Sequence, residues 1–139
     1  KIKDEIIELQ KEIKKNKWEV ELAPETTGKV NVFGSIDEIA QLVKDTECKF
    51  CIDFSHILAR YKKYNFEEVL KKFEDSEKLH IHFSGIEYGE KGEKKHLRTS
   101  EAEVKKLISA LPKNKEIVVI SESPSPVEDS ILGLKIYRR

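Results

Sequence analysis

The chain has 139 residues, in which 26 lysines and arginines balance 26 aspartates and glutamates. That length fits one domain with a real core, and zero formal charge excludes a global field drawing the chain to nucleic acid, so polyanion binding must come from local patches. No run approaches the ~20 apolar residues of a membrane span and no signal peptide is visible, which leaves the cytoplasm as the expected location and excludes a membrane partner; the charged fraction of 37% resembles that of heat-adapted proteins.

The opening run KIKDEIIELQKEIKK places Ile2, Ile6, Leu9 and Ile13 on one face and predicts a helix. No strand precedes it and the chain contains no methionine, so the expectation is the carboxyl-terminal part of a longer protein, cut within a βα unit. A first strand is predicted over 18–25, ending in Glu25, with Trp18, Val20 and Leu22 packing on helices and Glu21, Ala23 and Glu25 on the other face. Ser35 and Glu38 have the spacing of a capping box ahead of Ile39, Leu42 and Val43.

The second strand, 48–55, ends in Asp53 and is followed by His56. Cys48 and Cys51 lie three apart on it, hence on opposite faces, and read as plain thiols rather than a chelating pair. Asp53 also has an ordinary reading, as a cap for the segment behind it. Asn65 with Glu68 announces the next helix, carrying Val69, Leu70 and Phe73. In the third strand, 79–85, His80, His82 and Ser84 share a face, with His80 expected as a satisfied interior histidine.

A loop over 86–98 gathers Lys91, Lys94, Lys95 and Arg98. Ser100 with Glu103 then opens a helix bearing Val104, Leu107, Ile108 and Leu111. A fourth strand, 116–122, closes in Glu122, and Ser125, Pro126 and Glu128 start the last helix, with Ile131, Leu134 and Ile136 as its core face. The expected fold is therefore α/β: one domain, 1–139, of about four βα units preceded by a helix, which is half of a TIM (β/α)8 barrel. Strand ends form the active face of such barrels. Glu25, Asp53, His56, His82 and Glu122 gathered there would suit a catalytic divalent ion such as zinc or manganese.

The runs ELAPETTGK, CIDFSHILAR, LHIHFSGI, EKKHL and ISESP resemble, in order and over nearly the whole chain, the second half of the endonuclease IV family. That resemblance implies a zinc-dependent apurinic/apyrimidinic endonuclease of DNA base-excision repair, binding up to three zinc ions. It would cut double-stranded DNA 5′ to an abasic site, with the damaged sugar flipped out of the stack. By motif, Glu25 resembles the carboxylate bridging two ions, Asp53, His82 and Glu122 match ligands of one of them, and His56 and His96 match histidines of a third. Glu25 and Glu122 are the candidates for orienting or deprotonating the attacking water. Lys94 stands where the family has an aspartate, and Glu93 is the candidate replacement. The family's two remaining histidines come from its amino-terminal half, so the chain by itself is expected to have little or no nuclease activity.

Phosphate contacts are expected from Arg60, Lys94, Lys95 and Arg98, which would position the duplex without reading sequence. A metal-dependent sugar isomerase or epimerase of the xylose isomerase-like type presents a similar Glu, D-x-x-H, His, Glu series on one ion, and is the alternative. The basic 86–98 segment with its histidine favours phosphodiester chemistry. Exposed sheet edges would also let the chain form homodimers.

Overall fold

The computed structural model describes residues 1–139. Its helices are α1 (Ile2–Asn16), α2 (Ile36–Thr46), α3 (Phe54–Tyr61), α4 (Phe66–Lys72), α5 (Glu101–Ala110) and α6 (Pro126–Tyr137). The strands are β1 (Ile52–Asp53), β2 (Lys78–Phe83), β3 (Gly85–Gly89), β4 (Gly92–Leu97) and β5 (Glu116–Ser121). Strands β1, β2 and β5 form a parallel sheet in that order, and β3 pairs with β4 in a separate antiparallel hairpin.

This overturns the expected half barrel of four βα units. The segment 18–25 is not a strand of the sheet. It runs beside 49–51, joined by the Glu25–Cys51 bridge and by the amides of Lys49, Cys51 and Thr26 bonding to Leu22, Pro24 and Cys51 carbonyls. Pro24 has no N–H to extend a ladder, and Trp18 and Val20 are exposed instead of packing on helices. The predicted strand 48–55 shrinks to two residues because α3 begins at Phe54. The presumed 86–98 loop is mostly β-hairpin.

Local signals explain the elements that were expected. Ser35 and Ser100 each accept from the third backbone amide of their helix while Glu38 and Glu103 bond back, so both capping boxes form. Asn65 and Ser125 make no side-chain cap. Asn65 sits in the left-handed region, where its side chain is not placed to accept. On α6 Ile136 is buried as expected, whereas Ile131 and Leu134 are exposed, not core.

The core lies between the sheet and the helices. Leu79, Ile81 and Phe83 of β2 meet Ile52, Phe54 and Ile57 around β1 and α3, with Val69 and Leu107 closing the layer. Phe50 stacks on Phe73 with ring centroids 4.2 Å apart. Each fully buried chain of this size contributes roughly 1.5–3 kcal/mol. This packing fixes β2 with alternate residues facing the core, so His80 and His82 must point to the opposite face.

The hairpin is fastened to the turn after Glu25. Gly92 has φ +97, and a Cβ there would come within 2.0 Å of the Gly28 carbonyl oxygen, so only glycine permits this approach. The Glu93 amide donates to that same carbonyl at 3.2 Å.

Candidate metal centre

The register of the parallel sheet builds the site. Asp53 pairs with His82, and His82 pairs with Ile120, so the residue type alternates across one face while Ile52, Ile81 and Val119 mark the other. Glu25 enters from the bridged segment beside Cys51, and Glu122 follows the last residue of β5. Ligand atoms of Glu25, Asp53, His82 and Glu122 all lie within 4.8 Å of one another, as do those of Asp53, His56, His96 and Glu122. The structure therefore brings together Glu25, Asp53, His56, His82, His96 and Glu122.

Hydrogen bonds orient these side chains before any ion arrives. Asp53 Oδ1 accepts the His56 amide at 2.8 Å and so caps α3, the ordinary role anticipated for it. Its backbone is held by Thr26, whose hydroxyl accepts the Asp53 amide at 2.9 Å. The other oxygen, Oδ2, is buried and has no hydrogen-bond partner. His56 donates from Nδ1 to the Thr26 carbonyl oxygen at 2.9 Å, which leaves Nε2 as the nitrogen that could hold an ion. Ser84 donates to the Gly85 carbonyl and accepts from His96 Nδ1 at 2.7 Å, freeing His96 Nε2 likewise. His82 turns Nδ1 to Glu25 and Glu122, 3.3 Å from an oxygen of each.

The electrostatics match a cation site. Burial opposes charge on His56, but the hydrogen bond to Glu25 and the charges of Asp53 and Glu93 prevail and lift it to about 9. Its imidazolium is thus the positive charge this acidic cluster gathers by itself. Burial pushes the Glu25 carboxyl up, yet His56 and His82 together bring it below its ordinary value. Asp53 goes the other way, raised chiefly by burial. A buried carboxylate oxygen without a partner, beside two more carboxylates and three imidazoles, fits a hard or borderline divalent ion. Zinc fits this donor set.

Glu93 belongs to the site through a bulge. In the hairpin Ile86 pairs with His96, Glu87 with Lys95 and Tyr88 with Glu93, so Lys94 is the extra residue. Ile86 and Tyr88 share a face, and their partners His96 and Glu93 therefore do too. Glu93 Oε2 lies 2.8 Å from His56 Nε2, although outside hydrogen-bond geometry, and is otherwise unpartnered and buried. The His56 and His96 rings meet edge to face at 5.3 Å. Lys94 points away, 3.7 Å from Glu87. The Gly89–Gly92 spacing is a turn signal with Ile86 and Tyr88 before it, but the Glu93-Lys94-Lys95 run after it carries no strand preference.

The residues expected at DNA divide. Arg60 is bound to the loop after Glu25, donating to the Lys29 and Val32 carbonyls at 2.7 and 3.1 Å. Arg98 is fixed to Asp129 by Nε at 2.7 Å and Nη2 at 2.6 Å. Lys94 and Lys95 are exposed, with Glu87 as their partner. His80 is exposed rather than interior, because it sits on the open face one step from His82.

No helix is long and apolar enough to cross a membrane. No family model matches the chain, and no solved structure matches it. The chain is similar to a protein of Methanocaldococcus jannaschii described as uncharacterized, at 41% identity over 132 residues. The match covers 85% of this chain and 48% of that protein, so the chain spans about half the length of the curated relative it matches.

Proposed function

We propose that this chain carries the metal centre of a zinc-dependent phosphodiesterase of the endonuclease IV type, acting on abasic sites in double-stranded DNA. The observation that supports the reading best is the convergence of Glu25, Asp53, His82 and Glu122 with a second set, Asp53, His56, His96 and Glu122. Two overlapping sets suit a multi-ion phosphoesterase better than the single ion of a sugar isomerase. Ions held there would neutralise the phosphate, activate water and stabilise the leaving oxygen.

The chain's own groups have distinct tasks. Glu25 and Glu122 approach the same nitrogen of His82 from two elements, so either can bridge two ions or orient an attacking water. Asp53 holds its ligand oxygen still because its partner oxygen is tied to α3. Glu93 with His56 and His96 forms the third ligand group in place of the aspartate that Lys94 replaces. Lys94 and Lys95, exposed and paired only with Glu87 on the surface, are better placed to reach phosphates than Arg60 or Arg98, which are tied to the fold. Two buried free cysteines suit a reducing, cytoplasmic setting.

The matching relative is about twice as long, so cleavage is assigned to a polypeptide of that extent and ion binding to this chain. The test measures zinc stoichiometry on the chain and cleavage of an abasic duplex by the longer polypeptide, with and without Glu122→Gln. More than one zinc per chain and loss of at least about a hundredfold in cleavage are expected, about 2.7 kcal/mol of barrier. One ion per chain together with no cut at the abasic site would sink the reading and favour the isomerase.

A further inference from the structure

A second group of ligand-type side chains lies beside the carboxylate centre and uses none of its carboxylates. Continuing the Ile52–Ile81 register back by one residue sets Cys51 next to His80. Both are on the open face, with His82 one step further along β2. Ligand atoms of Cys51, His80 and His82 all lie within 4.8 Å of one another. His80 Nε2 and His82 Nε2 face each other at 3.3 Å. His82 therefore presents opposite nitrogens to two neighbourhoods: Nδ1 to Glu25 and Glu122, Nε2 to His80.

We infer that Cys51, His80 and His82 form a separate binding site for a borderline or soft transition-metal ion, of which zinc(II) is the working example. The donor set is the argument. One sulfur and two imidazoles favour such ions, whereas the oxygen-rich centre next to it accepts harder ones. Donors on a tetrahedral zinc stand roughly 3.3–3.5 Å apart, from bond lengths of ~2.0 Å to nitrogen and ~2.3 Å to sulfur. With the two imidazole nitrogens already 3.3 Å apart and every ligand atom within 4.8 Å of the others, small side-chain rotations close the set. His80 is exposed, which provides the entry path, and Cys51 is only 3% exposed, which shelters the sulfur. Three protein donors leave the fourth position to solvent, the arrangement of open zinc sites.

Binding would release the Cys51 thiol proton to solvent. With an ion on each side of His82, the ring must give up its remaining proton as well. The Cys51-to-Cys48 pairing suggested by their spacing has no part in this, since the partners of Cys51 come from the neighbouring strand.

The inference does not depend on the phosphodiester reading, and cobalt(II) separates the two. Only a site with sulfur gives an intense thiolate-to-cobalt charge-transfer band in the near ultraviolet. Cobalt added to the purified chain is expected to produce that band. Cys48→Ser, whose thiol lies outside the three-residue group, should retain it. His80→Asn, at an exposed position that does not threaten folding, should weaken cobalt binding at the band by about tenfold or more. Cys51→Ser should abolish the band. Absence of the band from the unaltered chain, its persistence in Cys51→Ser, or an unchanged affinity in His80→Asn would overturn the site. Failure to cut abasic DNA, with the band present, would leave it standing.

Discussion

Replacing Asp53 by asparagine is expected to stabilise the protein without metal and to remove most of the stabilisation that zinc confers. Asp53 is fully buried, and its Oδ2 has no hydrogen-bond partner. Burial raises its carboxyl above the ordinary value of 3.8. A raised acid stabilises the fold while protonated, below that ordinary value, and the contribution is lost as pH rises through the folded value. Wherever the group is ionised it is therefore a cost. Relieving one unsatisfied charged oxygen returns about 1 kcal/mol or more. For the ion, zinc at a hundred times its Kd adds ~2.7 kcal/mol to the unaltered protein. An unfolding entropy of roughly 0.3 kcal/mol/K for a chain of this size makes that a rise of about 9 °C. If Asp53→Asn weakens zinc about a hundredfold, the same zinc concentration adds only ~0.4 kcal/mol, or about 1 °C. Thermal unfolding with chelator and with zinc, on both proteins, reads both effects. A variant that melts lower in chelator yet keeps the full zinc-induced rise refutes the reasoning.

Two further outcomes test other parts of the molecule. Burial alone would push the Asp129 carboxyl up, but the Arg98 guanidinium, the Thr99 amide and the Ser123 hydroxyl outweigh it and hold it at about 2. The depressed value means stability present above the ordinary 3.8 and lost as pH falls through about 2. The advantage of the native protein over Asp129→Asn, about 1–2 kcal/mol at pH 6 after solvent screening, should shrink toward pH 2 in unfolding experiments, and a constant difference contradicts it. Strand β5 is the last in its sheet, and Val118 on it is 48% exposed. Sedimentation should show concentration-dependent homodimers that Val118→Lys weakens about tenfold, the equivalent of one valine's burial; a native chain that stays monomeric at all concentrations refutes the edge pairing.

The site was more legible in the sequence than the fold. Ligand types at the ends of Glu25, Asp53, His82 and Glu122 segments are local facts, and parallel pairing of β1, β2 and β5 places them together whatever else surrounds the sheet. Capping boxes at Ser35 and Ser100 were equally local. The architecture was not, because whether 18–25 joins a ladder depends on amides and carbonyls contributed by other segments. Helix α3 is hard to read because Asp53 ends a strand and caps a helix at once, so the helix begins inside the expected strand. Arg60 looked like a surface cation, yet its guanidinium closes the loop after Glu25 through main-chain carbonyls, a destination no composition reveals. His80 was judged interior from its alternation with Leu79 and Ile81, but alternation assigns a side and says nothing of what covers that side.

The bulge in the hairpin separates neighbourhood in the chain from neighbourhood on its face. With Lys94 looped out, an acid and a histidine separated by three positions occupy places that a regular strand would give to residues separated by two. Deleting Lys94 would shorten the interval and leave both functional groups where they are. Lys94, and not Glu93, is the residue two positions before His96 in the chain, while in the folded hairpin Glu93 is the one that shares its face.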